Sequence, residues 1–422
     1  MKSYKLKNLE IAVDRHGADR YSKASYPIRY GRFNEIKTPD YLFQFNLNGE
    51  IKYIRGLSGN WPHPAEWLKR TDANDWVYYS AASYHGIYSL LGEYYLPCLP
   101  YQSNSVWQYN PFGDSSIQQA IEAWARMAAD LGRLAGNGIP ARISNTLASI
   151  SRHDQDSLNT RSRTLHRIIG GPISVLPPDT RHVDYDVIPL MIADGCLYHC
   201  DFCCIKTTRE FQPRARGNIM QQIQDLHGFF GDNLRNYNAV FLGNHDALAA
   251  GAEIICMAAV EAYDGFELET SHLKDPTLFM FGSVDSLLAG GLTLMEAIHR
   301  LPYHTFINIG FESADAATLK RLNKPLQTRQ IEDAFQLMLA VNRGYPNIEI
   351  TANFVLDDHS PADHIRSLIE LVRHGLDRFY SKGALYISPL NTSRNNRELI
   401  SRFIEIKNLS RLPAFLYLIQ RL

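Results

Sequence analysis

Residues 193–204 read Ala-Asp-Gly-Cys-Leu-Tyr-His-Cys-Asp-Phe-Cys-Cys and hold four of the six cysteines in a chain of 422 residues. Cys196, Cys200 and Cys203 have the spacing C-x3-C-x2-C. A loop can wrap three such thiolates around one face of an iron–sulfur cube, since thiolates are soft ligands suited to these clusters. Three ligands leave a fourth iron without a protein ligand, an open position where substrate or cofactor can bind. Two blander readings stand beside it. His199 or Cys204 can complete a zinc site, although no second C-x2-C pair exists elsewhere. Alternatively, the thiols are buried and inert, as free cysteine often is. Cys98 and Cys256, alone in apolar contexts, read as structural, and Cys204 as a packed neighbour.

A ligand loop needs a rigid element to present it. Candidate strands lie at 187–193, 239–242, 277–281, 305–309, 349–356 and 384–387, and the first ends at the cysteine segment. Between most of them lie helical patterns, such as Ile219, Ile223 and Leu226, or Ile331, Phe335 and Leu339. Six strands alternating with helices predict parallel βα units of the α/β class, a full or partial barrel. Chemistry in such folds sits on loops at the C-terminal strand ends.

The first 180 residues have a different texture. All five tryptophans lie there, with short strands around an Asn48-Gly49 turn and an amphipathic helix carrying Ile117, Ile121, Trp124, Ala128, Leu131 and Leu134. From about 142 to 167 the chain is polar, fitting a surface helix or connector. The expected organisation is an N-terminal α+β region (1–180), a βα region (181–395) and a packed helical tail (396–422).

Composition sets outer limits. A hydrophobic fraction of 45% with 21% charged residues suits a protein with a substantial core. The formal charge of −1 provides no general footprint for nucleic acid, and sets mildly against an RNA substrate. No run of eighteen apolar residues and no secretory signal pattern is found, so no membrane span and a cytoplasmic location are expected.

The cysteine segment resembles the signature of the radical S-adenosylmethionine (SAM) superfamily, C-x3-C-x-aromatic-C after the first barrel strand, with Phe202 in the aromatic position. The resemblance covers roughly residues 186–391. Phe241-Leu-Gly-Asn244-His245-Asp246 is similar to the motif after strand two that holds the amino group of the methionine moiety. Asn244 and His245 depart from its glycine-rich form, while Asp246 keeps the carboxylate an ammonium group needs. Phe306-Ile-Asn308-Ile-Gly310-Phe-Glu312-Ser313 and Leu319-Lys-Arg-Leu-Asn-Lys324 resemble the strand-four run, in which Glu312 would accept from ribose hydroxyls. Residues 353–359 stand where relatives carry a Gly-x-Pro-Gly-Glu loop, without its glycines. Residues 385–390 resemble the sixth strand, which often ends near the substrate.

The resemblance implies a partial (β/α)6 TIM-like barrel with an aromatic-rich N-terminal extension. It implies a [4Fe-4S] cluster on Cys196, Cys200 and Cys203, and SAM contacted by Phe202, Asp246 and Glu312. It further implies reductive cleavage of SAM to a 5′-deoxyadenosyl radical acting on a small molecule, with an electron donor such as flavodoxin or ferredoxin. Radical modification of RNA or a peptide is the alternative, and a zinc-stabilised binding module without catalysis a further one. The remaining cysteines are too few and scattered for auxiliary clusters. Asp14-Arg15-His16 begins like a cobalamin-binding loop but lacks its final glycine, so it reads as a solvated turn and cobalamin is not expected. The aromatic N-terminal unit is expected to cover the barrel mouth near Cys196. Tyr386, His245 and His359 fall near strand ends, but no catalytic acid or radical-quenching residue is assigned.

Overall fold

The computed structural model describes residues 3–22, 29–80, 87–96, 101, 104, 106, 110–134, 138–203, 207, 209–357, 360–390 and 396–422. Within these, the aromatic and β-branched N-terminal sequence forms eight strands. They are β1 (Tyr4–Leu6), β2 (Leu9–His16), β3 (Arg32–Lys37), β4 (Tyr41–Phe45), β5 (Ile51–Gly56), β6 (Trp67–Arg70), β7 (Trp76–Tyr79) and β8 (Tyr95–Leu96), paired antiparallel in chain order. The β4–β5 turn is the expected one. The Asn46 side chain accepts from the Asn48 and Glu50 amides at 3.0 and 2.9 Å, and Gly49 takes φ 89°, where a side chain would be strained. Asp14-Arg15-His16 is not a turn: it closes β2, where Asp14 pairs with Arg142 at 2.8 Å.

The amphipathic helix runs Ser115–Leu134 and buries Ile117, Trp124, Ala128 and Leu131. The polar stretch after it folds into two helices, Ala141–Ser151 and Gln155–Ile169. Asp154 caps the second, its carboxylate accepting from the Ser157 amide at 2.9 Å.

The apolar runs beyond residue 187 become strands: β9 (Ile188–Met191), the short pair β10 (Ala193–Asp194) and β11 (Gln212–Pro213), then β12 (Ala239–Gly243), β13 (Thr277–Ser283), β14 (His304–Glu312), β15 (Ile348–Asp357), β16 (Leu385–Leu390) and β17 (Ala414–Leu416). All but β10 and β11 form one parallel sheet in the order β17-β16-β15-β14-β13-β12-β9. Crossover helices such as Arg216–Phe230, Gly251–Gly265 and Thr328–Gly344 cover it, which is why its strands read as continuous apolar runs. All six expected strands are present, and the sheet gains a seventh. Among the described residues, β9 and β17 are its edges.

That seventh strand corrects the reading of the C-terminal stretch as helical to its end. The helix spans Asn396–Leu409 only. Pro413 lacks the amide a helix needs, and β17 follows beside β16. Residues 417–422 then run on to the segment before β9. The Leu176 amide donates to the Gln420 carbonyl at 2.9 Å, and the Leu422 amide to the Ile173 carbonyl at 3.4 Å. The tail therefore ties the β17 edge to residues 173–176, the segment upstream of β9.

The N-terminal sheet does not cover the cysteine segment; it docks at the opposite ends of the parallel strands. Lys52 and Lys69 reach Asp186, just before β9, at 2.6 and 2.9 Å. Asn236, just before β12, accepts from the Arg32 amide and donates to its carbonyl, both at 2.8 Å. Asp72 receives the Tyr237 hydroxyl. Buried ion pairs and amide clasps hold this unit there, beside the edge-on contact of the Tyr95 and Tyr185 rings. Asp186→Ala would remove the carboxylate shared by two buried ammonium groups, leaving Lys52 with Asp72 at 3.9 Å and Lys69 with the Asp184 carbonyl, at a cost of about 3 kcal/mol. The expected result is a clearly lowered midpoint in urea unfolding with the slope unchanged.

No described helix is long and apolar enough to cross a membrane.

Candidate cofactor site

The cysteine loop begins at a forced turn. Gly195 takes φ 77°, and a Cβ there would lie 2.0 Å from the Glu210 carbonyl oxygen. The antiparallel pair β10–β11 makes the loop return where it left, and Arg214 locks that base by gripping both oxygens of Asp194 at 2.8 and 2.6 Å. A second anchor comes from the segment after β14. The Asp201 amide donates to the Leu322 carbonyl and the Asn323 side chain to the His199 carbonyl, both at 3.2 Å. These bonds give a role to the 319–324 run.

Cys196, Cys200, Phe202 and Cys203 all line one cavity of about 200 Å³ at the C-terminal ends of the parallel strands. Burial raises both the Cys196 and Cys200 thiols, the latter to about 11. Among the described residues, no three His, Cys, Asp or Glu side chains converge tightly enough to hold a single ion. Cys98 and Cys204 lie outside the described residues, as does His359. Cys256 sits half-buried on the helix Gly251–Gly265.

Asp246 enters the cavity just beyond β12. One carboxylate oxygen accepts from the Ser283 amide at 3.2 Å and the Ser286 hydroxyl at 2.8 Å, at the capped N-terminus of the helix Val284–His299. The other oxygen, Oδ2, is buried with no partner. Burial pushes this carboxyl above the usual range, against the pull of both serines. Neighbouring His245 also lines the cavity, and burial holds its imidazole below the ordinary value.

Glu312 stands at the end of β14 with φ 65°. Lys324 bonds its Oε1 at 3.0 Å and the Gly310 carbonyl at 2.5 Å, while Oε2 is buried and unpartnered. Gly310 leaves room for this arrangement, since a Cβ would lie 2.5 Å from Glu312 Oε1 and push the carboxylate aside. Lys324 therefore aims the glutamate and offsets its charge, a role the sequence reading missed. Asn244 Oδ1 adds a third bare acceptor in the cavity wall. Leaving a buried acceptor unsatisfied costs about 1–3 kcal/mol, so three together mark a place for a ligand rich in donors.

The same cavity is also lined by Asn308, Asn353 and Ser388, with Tyr417 and Ile419 from the C-terminal tail. Tyr386 lies below them, fully buried, its hydroxyl donating to Asp179 at 3.0 Å. The sequence placed Tyr386 near a strand end, but it belongs to this buried floor.

No protein-family model matches the chain, and no curated protein matches it. Among solved structures the chain is similar to radical SAM enzymes. One is the cobalamin-dependent SAM radical enzyme OxsB with aqua-cobalamin and SAM bound, at 16% identity and TM-score 0.33 over 46% of this chain and 27% of that chain. Another is a radical SAM methyltransferase from Sphaerobacter thermophilus, at 16% identity and TM-score 0.37 over 55% of this chain and 66% of that one. Streptococcus suis SuiB bound to SAM is a third, at 12% identity and TM-score 0.35 over 83% of this chain and 71% of that one. The chain thus spans about a quarter of OxsB, and at these scores the likenesses carry no further weight.

Proposed function

We propose that this protein is a radical SAM enzyme whose βα region is a partial (β/α)6-type barrel extended by a seventh strand. The observation that carries the reading is the gathering of three spaced thiols with the bare oxygens of Asp246 and Glu312 around one cavity at the C-terminal strand ends. A [4Fe-4S] cluster would be held by Cys196, Cys200 and Cys203, and SAM beside it. When bound and reduced, the cluster supplies the electron that cleaves SAM to a 5′-deoxyadenosyl radical, which removes hydrogen from a substrate.

The protein's own groups suit the donors of SAM. Asp246 Oδ2 is placed to accept from the methionine ammonium, and the serines on its other oxygen hold it in orientation. Glu312 Oε2 is placed to accept from a ribose hydroxyl while Lys324 holds Oε1. Phe202 supplies apolar wall and keeps water from the reacting carbon. A small-molecule substrate, a flavodoxin- or ferredoxin-type electron donor and a cytoplasmic location complete the proposal.

The test is anaerobic reconstitution with iron and sulfide. The expected product holds about four irons per chain, and converts SAM to 5′-deoxyadenosine once reduced. Tight zinc binding without that conversion would instead favour the binding-module reading.

A further inference from the structure

The cavity continues beneath the positions assigned to SAM, and the deep part has its own chemistry. Asn308 lies four residues before Glu312 on β14, and because the strand is bulged between Gly310 and Glu312 this spans three residues of β15, about 10 Å. It is 1% exposed, and its Oδ1 is buried without a partner. The orientation of this amide is fixed by the network below it. Thr351 donates its hydroxyl to Asp179 at 2.7 Å and so accepts from the Asn308 NH2 at 3.0 Å. The carbonyl oxygen is thereby left for something else. On the neighbouring strand β15, where Asn353 pairs with Gly310 and so sits diagonally to Asn308, Ser388 donates to Asn353 Oδ1 at 3.1 Å, and Asn353 presents an amide NH2 that makes no hydrogen bond among the described residues.

Phe281, paired with Asn308, supplies apolar surface beside these amides, and Val175, Ile419 and Leu390, the last at the C-terminal end of β16, line the same cavity. The charged groups of the cavity, Asp246, Glu312, Lys324 and the thiols, all belong to its mouth. Two of the wall residues, Tyr417 and Ile419, come from the C-terminal tail.

We propose that this inner chamber is the substrate subsite, and that it takes a small uncharged molecule with an apolar body and a primary-amide-like edge, its donor meeting Asn308 Oδ1 and its acceptor meeting Asn353 Nδ2. The inference rests on the radical SAM reading for the placement of SAM above it. A carboxylate would face the bare oxygen of Asn308, and a cation would lose its hydration against apolar walls without a counter-charge. Both are disfavoured against an uncharged amide edge.

Three probes of one shape separate the cases: benzamide, benzoate and benzamidinium. Their binding to the full-length, cluster-loaded protein with SAM present is measured by saturation-transfer NMR and competition. Benzamide is expected to bind at least about tenfold tighter than either ion, since one buried hydrogen bond of about 1.4 kcal/mol is a factor of ten. Asn308→Leu, which removes the acceptor, and Ile419→Trp, which fills the chamber from the tail, are each expected to weaken benzamide binding at least tenfold. Phe379→Ala, a change at a side chain 79% exposed outside the cavity, is the control expected to bind as the parent does. Equal binding of benzoate overturns the proposal, and so does benzamide binding unchanged in both chamber variants. Conversion of SAM to 5′-deoxyadenosine by the parent protein is read separately. Its absence overturns the radical SAM reading, whereas its presence without benzamide preference overturns the subsite alone.

Discussion

Replacing Cys196, Cys200 and Cys203 together by alanine is expected to reduce bound iron from about four per chain to background and to abolish formation of 5′-deoxyadenosine. Both outcomes follow if these thiolates are the cluster's protein ligands, because soft sulfur ligands are what the metal requires. The three side chains lie at the rim of the cavity and are only half-buried, so the hydrophobic core survives their loss. A melting temperature close to that of the unloaded parent is therefore expected. Cys256→Ala provides the contrast. Its thiol sits on a crossover helix, and iron content is expected to stay at the parental level. Retention of cluster absorbance in the triple variant would overturn the ligand assignment.

The second large effect is expected at Asp246. Its Oδ2 is a buried acceptor without a partner, and a carboxylate–ammonium hydrogen bond contributes roughly 1.5–3 kcal/mol. Asp246→Asn is therefore expected to weaken SAM binding about 10- to 100-fold in equilibrium dialysis, with cluster content unchanged. The pH dependence gives an independent signature. Burial raises the Asp246 carboxyl above the ordinary carboxylate range. The attraction for an ammonium group is present above that raised value and lost as pH falls through it. The parent is thus expected to lose SAM affinity at a higher pH than an exposed aspartate would allow, and the asparagine variant is expected to lack that step. An unchanged affinity in Asp246→Asn would remove this residue from the site.

The features legible in the sequence were those with local causes. Strands buried on both faces write themselves as apolar runs, and six of the parallel strands were readable in this way. The cysteine spacing was visible by itself, whereas Asp246 and Glu312 were reached through resemblance to strand-end motifs, and the structure puts both on the same cavity as the cysteines. The N-terminal sheet was legible as strands but not in position, since Lys52, Lys69 and Asp186 are far apart in sequence and nothing local joins them. The apolar tail shows the opposite failure. Its composition satisfied a helix, and only Pro413 marked the change to a three-residue strand. Lys324 had a visible motif around it, but its grip on Glu312 depends on the backward turn of the chain after β14. Asn308 gave no signal at all, because a polar residue inside an apolar strand acquires meaning only from the network beneath it.

The tail also bears on the order in which the molecule assembles. Tyr417 and Leu176, whose hydrogen bond helps close the chamber, are 241 residues apart, and Asn104 and Ile419 are 315 apart. Contacts so distant in sequence carry the largest loop-closure entropy and form late, after the nearest-neighbour pairing of successive parallel strands. The sheet thus precedes its own side wall. During that interval the side of the chamber lined by Tyr417 and Ile419 stands open.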